Sequence, residues 1–401
     1  MKRNLLRTIT GNALLVLGAV VAMAFATLPA SAEEIGVTDD SIKIGIFAPF
    51  TGSVPLFGYP ITRGGTLLYE EVNAKGGIHG RKIAWVEEDD QCDPSKGVAA
   101  VKKLIHEHKV FLLHGGNCSN VNLAVRPEVE RGKVPWLTNS TNVGIYLPTS
   151  PYIFTTVLTT DFEGALLADF AMSVPNAKRV AIIGHRDAWG LGKSDPAIKR
   201  LQDQYNVTLV ANEAMDRGAN DSTPQTLRLK QANPDVVIVI LYPKEGAVFL
   251  RDAVKYGITS VLVGNTALED IADLISKAGT DAGAKNLYCL TLLRYTMDDP
   301  KMASLVERFK AKYPTTAISP FMTWAYSGAE VIVEVLRRVG RDVTREKFVK
   351  ELEKLRNFES VVFPGTLNFS PEEHRGNRTA NFVVYRGGKF VNVGPKYVSA
   401  Q

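Results

Sequence analysis

Short apolar runs alternate along the chain with longer segments whose apolar residues recur every three or four positions. The run at 235–241 is continuous and rich in valine and isoleucine, as in a strand that is buried on both faces. The segment 61–74 has helical spacing instead, and the glycine-rich stretch 75–80 ends it. This alternation predicts an α/β fold built on parallel, doubly wound sheets.

The same theme restarts after Pro151, so the chain divides into two α/β halves of similar size. The predicted strands are residues 42–47, 82–86, 110–113, 134–137, 179–183, 207–211, 235–241 and 260–263, followed by β-like segments at 365–369 and 381–385. The predicted helices are residues 61–74, 94–108, 120–131, 161–172, 191–204, 222–232, 244–256, 302–313 and 320–339.

The first 32 residues have the three parts of a secretory signal peptide. Lys2 and Arg3 give a basic start, an apolar stretch follows at 13–28, and an Ala-Ser-Ala triplet ends at Ala32. An uncleaved membrane anchor is the alternative, but the apolar stretch is short for a span of about 20 residues. We therefore expect signal peptide 1–32, cleavage after Ala32 and a periplasmic protein.

Charge and composition exclude some classes of partner. The net charge is +5, and part of it belongs to the basic start of the signal peptide. Lysines and arginines form no block, so the chain is not expected to bind nucleic acid. The hydrophobic content of 45% is sufficient for an ordinary globular core.

Three cysteines are present, and two are expected to pair in an oxidising compartment. Cys92 and Cys118 both lie in loop-like stretches, whereas Cys289 lies in a strand-like run that suits a buried free thiol. A disulfide between Cys92 and Cys118 would stabilise the fold by roughly 3–4 kcal/mol in the chain-entropy model. Without a nearby pair of histidines, the cysteines do not suggest zinc.

No motif for catalysis is found. The sequence lacks a Gly-x-Ser-x-Gly elbow and a His-Glu-x-x-His zinc motif. Gly192-Lys193-Ser194 resembles the end of a phosphate-binding loop, but Asp187 stands where that motif needs glycine. These observations favour binding over an enzyme, and no cofactor or metal is expected.

Two uncharged polar loops follow neighbouring strands of the first half. One is residues 115–119, which ends in Ser119, and the other is residues 138–142, which contains Ser140 and Asn142. Ligands of parallel sheets bind beyond the carboxyl ends of strands, at helix N-termini. Ordinary N-capping explains either loop alone. Two such loops side by side favour a shared site for a carboxylate.

The second half offers a wall for the same ligand. Trp189 and Tyr242 follow strands at the entrances of helices, and the loop 264–266 ends in Thr266. Large aromatic faces suit an apolar or aromatic ligand, although packing inside the lobe is the alternative for each.

Several motifs, in order, resemble the branched-chain amino-acid (leucine/isoleucine/valine) type of periplasmic substrate-binding protein of ABC transporters. The resemblance covers most of the chain after the signal peptide. It rests on Ile44-Gly45-Ile46-Phe47-Ala48-Pro49-Phe50-Thr51-Gly52, Asn73-Ala74-Lys75-Gly76-Gly77-Ile78-His79-Gly80, Asp89-Asp90-Gln91-Cys92-Asp93-Pro94 with Cys118-Ser119, and Asp187-Ala188-Trp189-Gly190-Leu191-Gly192. The last motif has tryptophan where the family usually has tyrosine.

The resemblance implies two Rossmann-like lobes joined by hinge strands, the type I periplasmic binding protein fold. The N-terminal lobe would comprise 33–156 and 294–357, and the C-terminal lobe 157–293 and 358–401. It also implies the Cys92–Cys118 disulfide. The partners would be a small-molecule ligand and an ABC transporter permease in the inner membrane.

By position, the resemblance also implies a ligand site. Ser119, Ser140 and Asn142 would hold the carboxylate of the ligand. The remainder of the site would be lined by Phe57, Trp189, Tyr242, Thr266 and Tyr326.

One departure from the family changes the expected ligand. Amino-acid binders place a carboxylate where this chain has Thr266, to pair with the ammonium of the ligand. A buried ammonium without a counter-charge is costly. We therefore expect a small organic acid, aromatic or otherwise, unless Glu163 or Asp187 replaces the missing carboxylate and restores a branched-chain amino acid.

The expected function is capture of a carboxylate-bearing solute between two lobes and its delivery to a permease. A ligand sensor of the same fold, acting on a signalling partner, is the alternative, because the fold does not determine the role.

Overall fold

The computed structural model describes residues 34–52 and 54–399. The predicted signal peptide 1–32 lies outside the described residues. The described residues from Ile35 onward form one compact unit.

The first sheet is entirely parallel and has the strand order β2-β1-β3-β4-β5. Its strands are β1 (Ser41–Ala48), β2 (Lys82–Asp89), β3 (Leu112–Gly115), β4 (Trp136–Thr138) and β5 (Ile153–Thr155). The chain reverses its direction of winding between β1 and β3, which is where parallel sheets bind ligands.

The second sheet has the order β12-β11-β10-β9-β8-β6-β7, in which β6 to β10 are parallel and the last two strands antiparallel. Its strands are β6 (Val180–Gly184), β7 (Ala211–Ala214), β8 (Val236–Ile240), β9 (Val261–Gly264), β10 (Leu287–Thr291), β11 (Thr379–Arg386) and β12 (Lys389–Ser399). Its parallel part repeats the winding of the first sheet, with β6 in the place of β1. The two halves are therefore topological repeats.

Helices connect the strands and cover the sheets. They are α1 (Tyr59–Ala74), α2 (Pro94–Lys102), α3 (Ser119–Gly132), α4 (Thr160–Ser173), α5 (Ala188–Tyr205), α6 (Thr223–Ala232), α7 (Pro243–Tyr256), α8 (Ile271–Ala278), α9 (Pro300–Lys312), α10 (Met322–Val339) and α11 (Arg345–Leu352). Helix α1 packs closely on α10 at Gly64. A Cβ atom at this position would lie only 1.8 Å from the carbonyl oxygen of Met322, so only glycine permits this packing.

Most predicted elements are present, with some shifts. The strand predicted at 207–211 was placed too early, because the edge strand β7 begins only at Ala211. The helix predicted over 94–108 has α-helical geometry only to Lys102 and continues as a π-helical turn. The β-like segment 365–369 is not a strand, since only Leu367 makes an isolated bridge, with Phe358.

Four elements were not predicted, namely β5, α8, α11 and the edge strand β12 (Lys389–Ser399). The first three are only three to eight residues long, which is too short for periodicity to be informative. The predicted fold class, two Rossmann-like α/β halves, is confirmed. The lobe boundaries at 156/157, 293/294 and 357/358 stay a prediction.

Candidate functional site

The loop after β3 brings the chain close to the first strand. Gly115 and Gly116 have φ angles of +124° and +76°, and a Cβ on Gly115 would lie 2.9 Å from the carbonyl oxygen of Phe47. Only glycine accepts both this conformation and this approach. The loop then reaches Cys118, which forms the predicted disulfide with Cys92.

Helix α3 starts directly after this disulfide. Its N-cap residue is Cys118, which makes no side-chain capping bond in the described part of the chain. Ser119 is thus the first residue of the helix and not its cap. The N-terminal N–H groups of α3 keep the partial positive charge that attracts anions.

The loop after β4 meets this helix end. The hydroxyl oxygens of Ser119 and Ser140 lie 3.1 Å apart, and both residues are buried. Asn139 Nδ2 donates to Asn117 Oδ1 across the same junction at 3.2 Å. The Thr141 hydroxyl is buried without a hydrogen-bond partner among the described residues. The two loops therefore form one uncharged polar surface, as the sequence predicted.

Asn142 is placed differently from its predicted role. Its Nδ2 donates to the carbonyl oxygen of Ala188 at 2.8 Å, and its Oδ1 accepts from Gly144 N at 2.9 Å. Ala188 is the first residue of α5, so the amide connects the β4 loop to a helix of the second sheet. In this conformation, both ends of the Asn142 amide are occupied by protein groups.

Four aromatic side chains lie opposite the polar loops. The rings of Trp189 and Tyr242 are stacked with centroids 4.1 Å apart. Phe57 meets Tyr242 edge-on at 6.1 Å and stacks on Trp324 at 6.3 Å. All four belong to one hydrophobic cluster and are nearly buried. The three aromatic residues predicted from the sequence therefore lie together, with Trp324 as an addition, and their contact with a ligand stays a prediction.

Two cations cover the stacked pair. Lys193 Nζ lies 4.3 Å from the centroid of Trp189, and the guanidinium carbon of Arg217 lies 4.6 Å from that of Tyr242. The facing sides of the two rings leave no room for a cation, so Lys193 and Arg217 occupy the outer sides. Positive charge thus flanks the aromatic wall.

Lys193 is completely buried and is neutralised by Glu163. The distance from Lys193 Nζ to Glu163 Oε2 is 2.5 Å, and neither side chain is exposed. Burial lowers the pKa of Lys193, and the charge of Glu163 opposes that shift. The other oxygen of Glu163 accepts from the backbone N–H and the hydroxyl of Thr266, at 2.7 and 2.9 Å.

The other two acids near the site are also bound to protein groups. Asp187 accepts from Gly190 N at 2.8 Å and lies 2.7 Å from Nη2 of Arg217. Glu269 accepts from Thr291, Leu292 and Trp324. Burial raises the pKa of Glu269 to about 7.

A pocket of about 20 Å³, which is the room of about one water molecule, lies between the polar loops and the aromatic rings. A larger ligand therefore needs the ring of Phe57 or the two sheets to move. The lining contains no acidic or basic side chain, and it consists of Val54, Phe57, Cys92, Asn117, Cys118, Thr141, Trp189, Tyr242, Thr266, Ala267 and Trp324. The lining therefore combines uncharged polar groups with aromatic rings.

Of the residues predicted from the sequence, Ser119, Ser140, Asn142 and Tyr326 are not part of this lining. Tyr326 is buried on α10, and Trp324, two residues earlier, faces the pocket instead. Residues two positions apart on an α-helix point in directions that differ by about 200°, so only one of Trp324 and Tyr326 can face the pocket. Asn117, Thr141 and Trp324 were not singled out from the sequence. The first two lie in loops that the sequence did indicate, and their polarity was the available signal.

Comparisons with known proteins agree with this architecture. The family model described as periplasmic binding protein matches residues 41–389. A leucine-, isoleucine-, valine-, threonine- and alanine-binding protein of Pseudomonas aeruginosa is 27% identical over 351 residues, which cover 87% of this chain and 91% of that protein. No helix in the described part of the chain has the length and apolarity to cross a membrane.

Solved structures share the fold. A leucine binding protein from Thermotoga maritima has a TM-score of 0.77 at 24% identity and covers 89% of this chain and 99% of its own. A fatty acid ABC transporter substrate-binding protein from Thermomonospora curvata has a TM-score of 0.79 at 21% identity, with coverage of 92% and 95%. With a family model matched over most of its length, this chain belongs to the periplasmic binding proteins, and it is a substrate-binding protein and not an enzyme.

Proposed function

We propose that the protein is the periplasmic receptor of an ABC importer for a small carboxylate-bearing solute that lacks an ammonium group. The solute is captured between the two lobes and delivered to a permease in the inner membrane. The observation that carries the proposal is the pocket lining, which combines uncharged hydrogen-bond donors with aromatic rings and contains no acid.

The carboxylate binds at the junction of the two polar loops. Its oxygens accept from the unpartnered hydroxyl of Thr141, which lines the pocket, and from the hydroxyls of Ser119 and Ser140, which lie outside the present lining and become available when the pocket opens for the ligand. The N-terminus of α3 adds a favourable partial charge. Asn142 holds the second half against the first through Ala188, so it supports the closed conformation.

The body of the solute lies against the aromatic wall. Phe57, Trp189 and Tyr242 provide apolar area, and Trp324 takes the place that the sequence assigned to Tyr326. Thr266 lines the same pocket, but its hydroxyl is directed to Glu163. An apolar or aromatic body is therefore favoured.

An ammonium group is disfavoured because no carboxylate lines the pocket. Glu163 and Glu269 are engaged by protein donors, and Asp187 lies 2.7 Å from Nη2 of Arg217. A buried ammonium would be left without a counter-charge.

Ligand binding couples to closure because the lining comes from both halves. A solute that contacts the 115–119 loop and Trp189 together stabilises the closed form over the open one. The closed form with its bound ligand is then the species that a permease would recognise.

The test compares acids with and without an amine on the same carbon skeleton. Leucine is paired with 4-methylpentanoate, and phenylalanine with 3-phenylpropionate, in thermal-shift and calorimetric titrations of the purified protein. A ligand at 100 times its Kd adds about 2.7 kcal/mol of stability, which such an assay detects. We expect the amine-free member of a pair to bind about tenfold tighter or better.

Curated relatives are named for amino acids, so leucine is the competitor that matters. Tighter binding of leucine than of 4-methylpentanoate would contradict the amine-free assignment. Binding of neither acids nor amino acids would contradict the proposal as a whole.

A further inference from the structure

A second, larger cavity adjoins the pocket. Its volume is about 320 Å³, and Phe57 and Tyr242 line both spaces. One wall is apolar and includes Leu56, in the segment that precedes α1. The opposite wall comes from the second half of the chain. Movement of the Phe57 ring would join the pocket to this cavity.

The opposite wall is rich in cations, namely Arg217, Lys244 and Lys277. The only acid among the lining residues is Glu245, whose Oε1 accepts from Gly218 N at 2.6 Å. Its side chain is 5% exposed, and its Oε2 lies 3.8 Å from Nε2 of His185.

Arg217 has donors to spare. Its Nη2 donates to the hydroxyl of Tyr242 at 2.6 Å and lies 2.7 Å from Asp187. Within the described residues, its Nε and Nη1 make no hydrogen bond, and the side chain is 40% exposed. Nε and Nη1 lie on different edges of the guanidinium, so each can donate a separate charge-assisted hydrogen bond to an anion.

Lys244 has a similar surplus. Its Nζ donates to the carbonyl oxygen of Gly218 at 2.9 Å, which uses one of the three donors of the ammonium. Lys277 is the least available of the three, because Asp273 lies 2.5 Å from its Nζ. The free donors of the cavity thus concentrate at Arg217 and Lys244.

We propose that this cavity binds a second anionic group of the ligand, so that the preferred solute is a dicarboxylate with an apolar spacer. The first carboxylate lies at Ser119 and Ser140, the spacer passes Phe57 and Tyr242, and the second carboxylate contacts Arg217 and Lys244. This inference rests on the proposed function, since it assumes the first carboxylate site.

The arrangement also explains how a longer ligand would favour closure. Its spacer contacts Leu56 and Phe57 on one wall, and its second carboxylate contacts Arg217 on the other. Every added contact of this kind is lost when the walls separate, so it contributes to the closed form alone.

The experiment uses monocarboxylates and dicarboxylates of equal length. Hexanoate with hexanedioate, octanoate with octanedioate, and benzoate with terephthalate are titrated calorimetrically into the wild-type protein, Arg217→Ala and Lys244→Gln. In the wild type, the dicarboxylate of at least one pair is expected to bind about tenfold tighter than its monocarboxylate. Either substitution is expected to reduce that preference about fivefold or more.

Arg228→Ala is the matched control. Arg228 pairs with Glu213 on the surface with 54% of its side chain exposed, and it lines neither cavity. Its replacement should leave the preference for dicarboxylates as in the wild type. Arg217 covers the ring of Tyr242, so Arg217→Ala also uncovers that ring. Lys244 does not cover the ring, so Lys244→Gln tests the second anionic site without this side effect.

The outcomes separate the two proposals. If monocarboxylates bind and no dicarboxylate binds tighter, the second anionic site is wrong and the proposed function stands. A preference for dicarboxylates that both substitutions leave unchanged also contradicts the site. If no carboxylate of either kind binds, both proposals are wrong.

Discussion

The indole nitrogen of Trp324 donates a hydrogen bond to Oε1 of Glu269 at a distance of 2.9 Å, and both residues are buried. Trp324 lies on α10 and Glu269 follows β9, so the bond joins elements that are far apart in the chain. Two more donors, the Thr291 hydroxyl and the backbone N–H of Leu292, reach the other oxygen of the carboxyl group.

Replacement of Trp324 by phenylalanine should destabilise the protein. The change removes one donor from a buried carboxyl group that is ionised above about pH 7, and hydrogen bonds to charged groups contribute about 1.5–3 kcal/mol, so the measurement is made at about pH 8. Chemical denaturation should show a loss of that order. Trp85→Phe is the matched control, because Trp85 donates at 3.2 Å to Glu87, which is 23% exposed. Equal losses in the two variants would contradict the importance of the buried contact.

Glu269 should make stability depend on pH. Burial raises its pKa from the model-compound value of 4.5 to about 7, so the folded protein binds its proton more tightly than the unfolded chain does. The stabilisation that protonated Glu269 adds to the free energy of unfolding is fully present below about pH 4.5, and it is lost as the pH rises to about 7. The loss is on the order of 3 kcal/mol.

Glu269→Gln isolates this contribution from the other titrating groups. The free energy of unfolding of the wild type minus that of the variant should fall between pH 4.5 and 7. The glutamine amide in Glu269→Gln also lowers the free energy of unfolding, because its NH₂ group cannot accept from the donors that reach the carboxyl group. This loss does not depend on pH. A pH-independent difference would show that Glu269 titrates normally.

The buried pair of Lys193 and Glu163 should be strongly coupled. Lys193→Met leaves Glu163 buried with only Thr266 as donor, and loss of one partner of a buried pair costs about 3–5 kcal/mol. The double variant with Glu163→Gln should recover part of this loss, because the uncompensated charge is removed.

Lys199→Met provides the control for this pair. Lys199 and Asp203 form a surface ion pair in the same helix, with side chains that are 76% and 51% exposed. Loss of this surface ion pair in Lys199→Met should change the free energy of unfolding by less than about 1 kcal/mol. A double variant of Lys193 and Glu163 no more stable than Lys193→Met alone would argue against coupling.

Ser119→Ala should weaken the binding of carboxylates. The substitution removes one hydroxyl donor from the junction with Ser140, and a hydrogen bond to a charged group corresponds to about tenfold or more in Kd. Calorimetric titration with the best ligand measures the change. Ser173→Ala, at the far end of α4, should bind like the wild type. Unchanged affinity in Ser119→Ala would place the carboxylate elsewhere.

The sequence by itself determined the alternation of strands and helices through most of the chain, the two polar loops and the disulfide partners. These features depend on local spacing: buried runs such as 235–241, glycines at 115 and 116 that permit a left-handed backbone, and two cysteines in loops. Neighbouring strands of a parallel sheet end at the same edge, so the meeting of Ser119 with Ser140 also followed from the pattern.

Only the tertiary structure decided which partners the polar and aromatic side chains have. Trp324 and not Tyr326 faces the pocket because the packing of α10 on α1 determines how the helix is rotated. Glu163 is engaged by Lys193, which is 30 residues away in sequence, and so it does not replace the carboxylate that Thr266 lacks. Contacts of this kind depend on how distant elements pack, and no local periodicity carries that information.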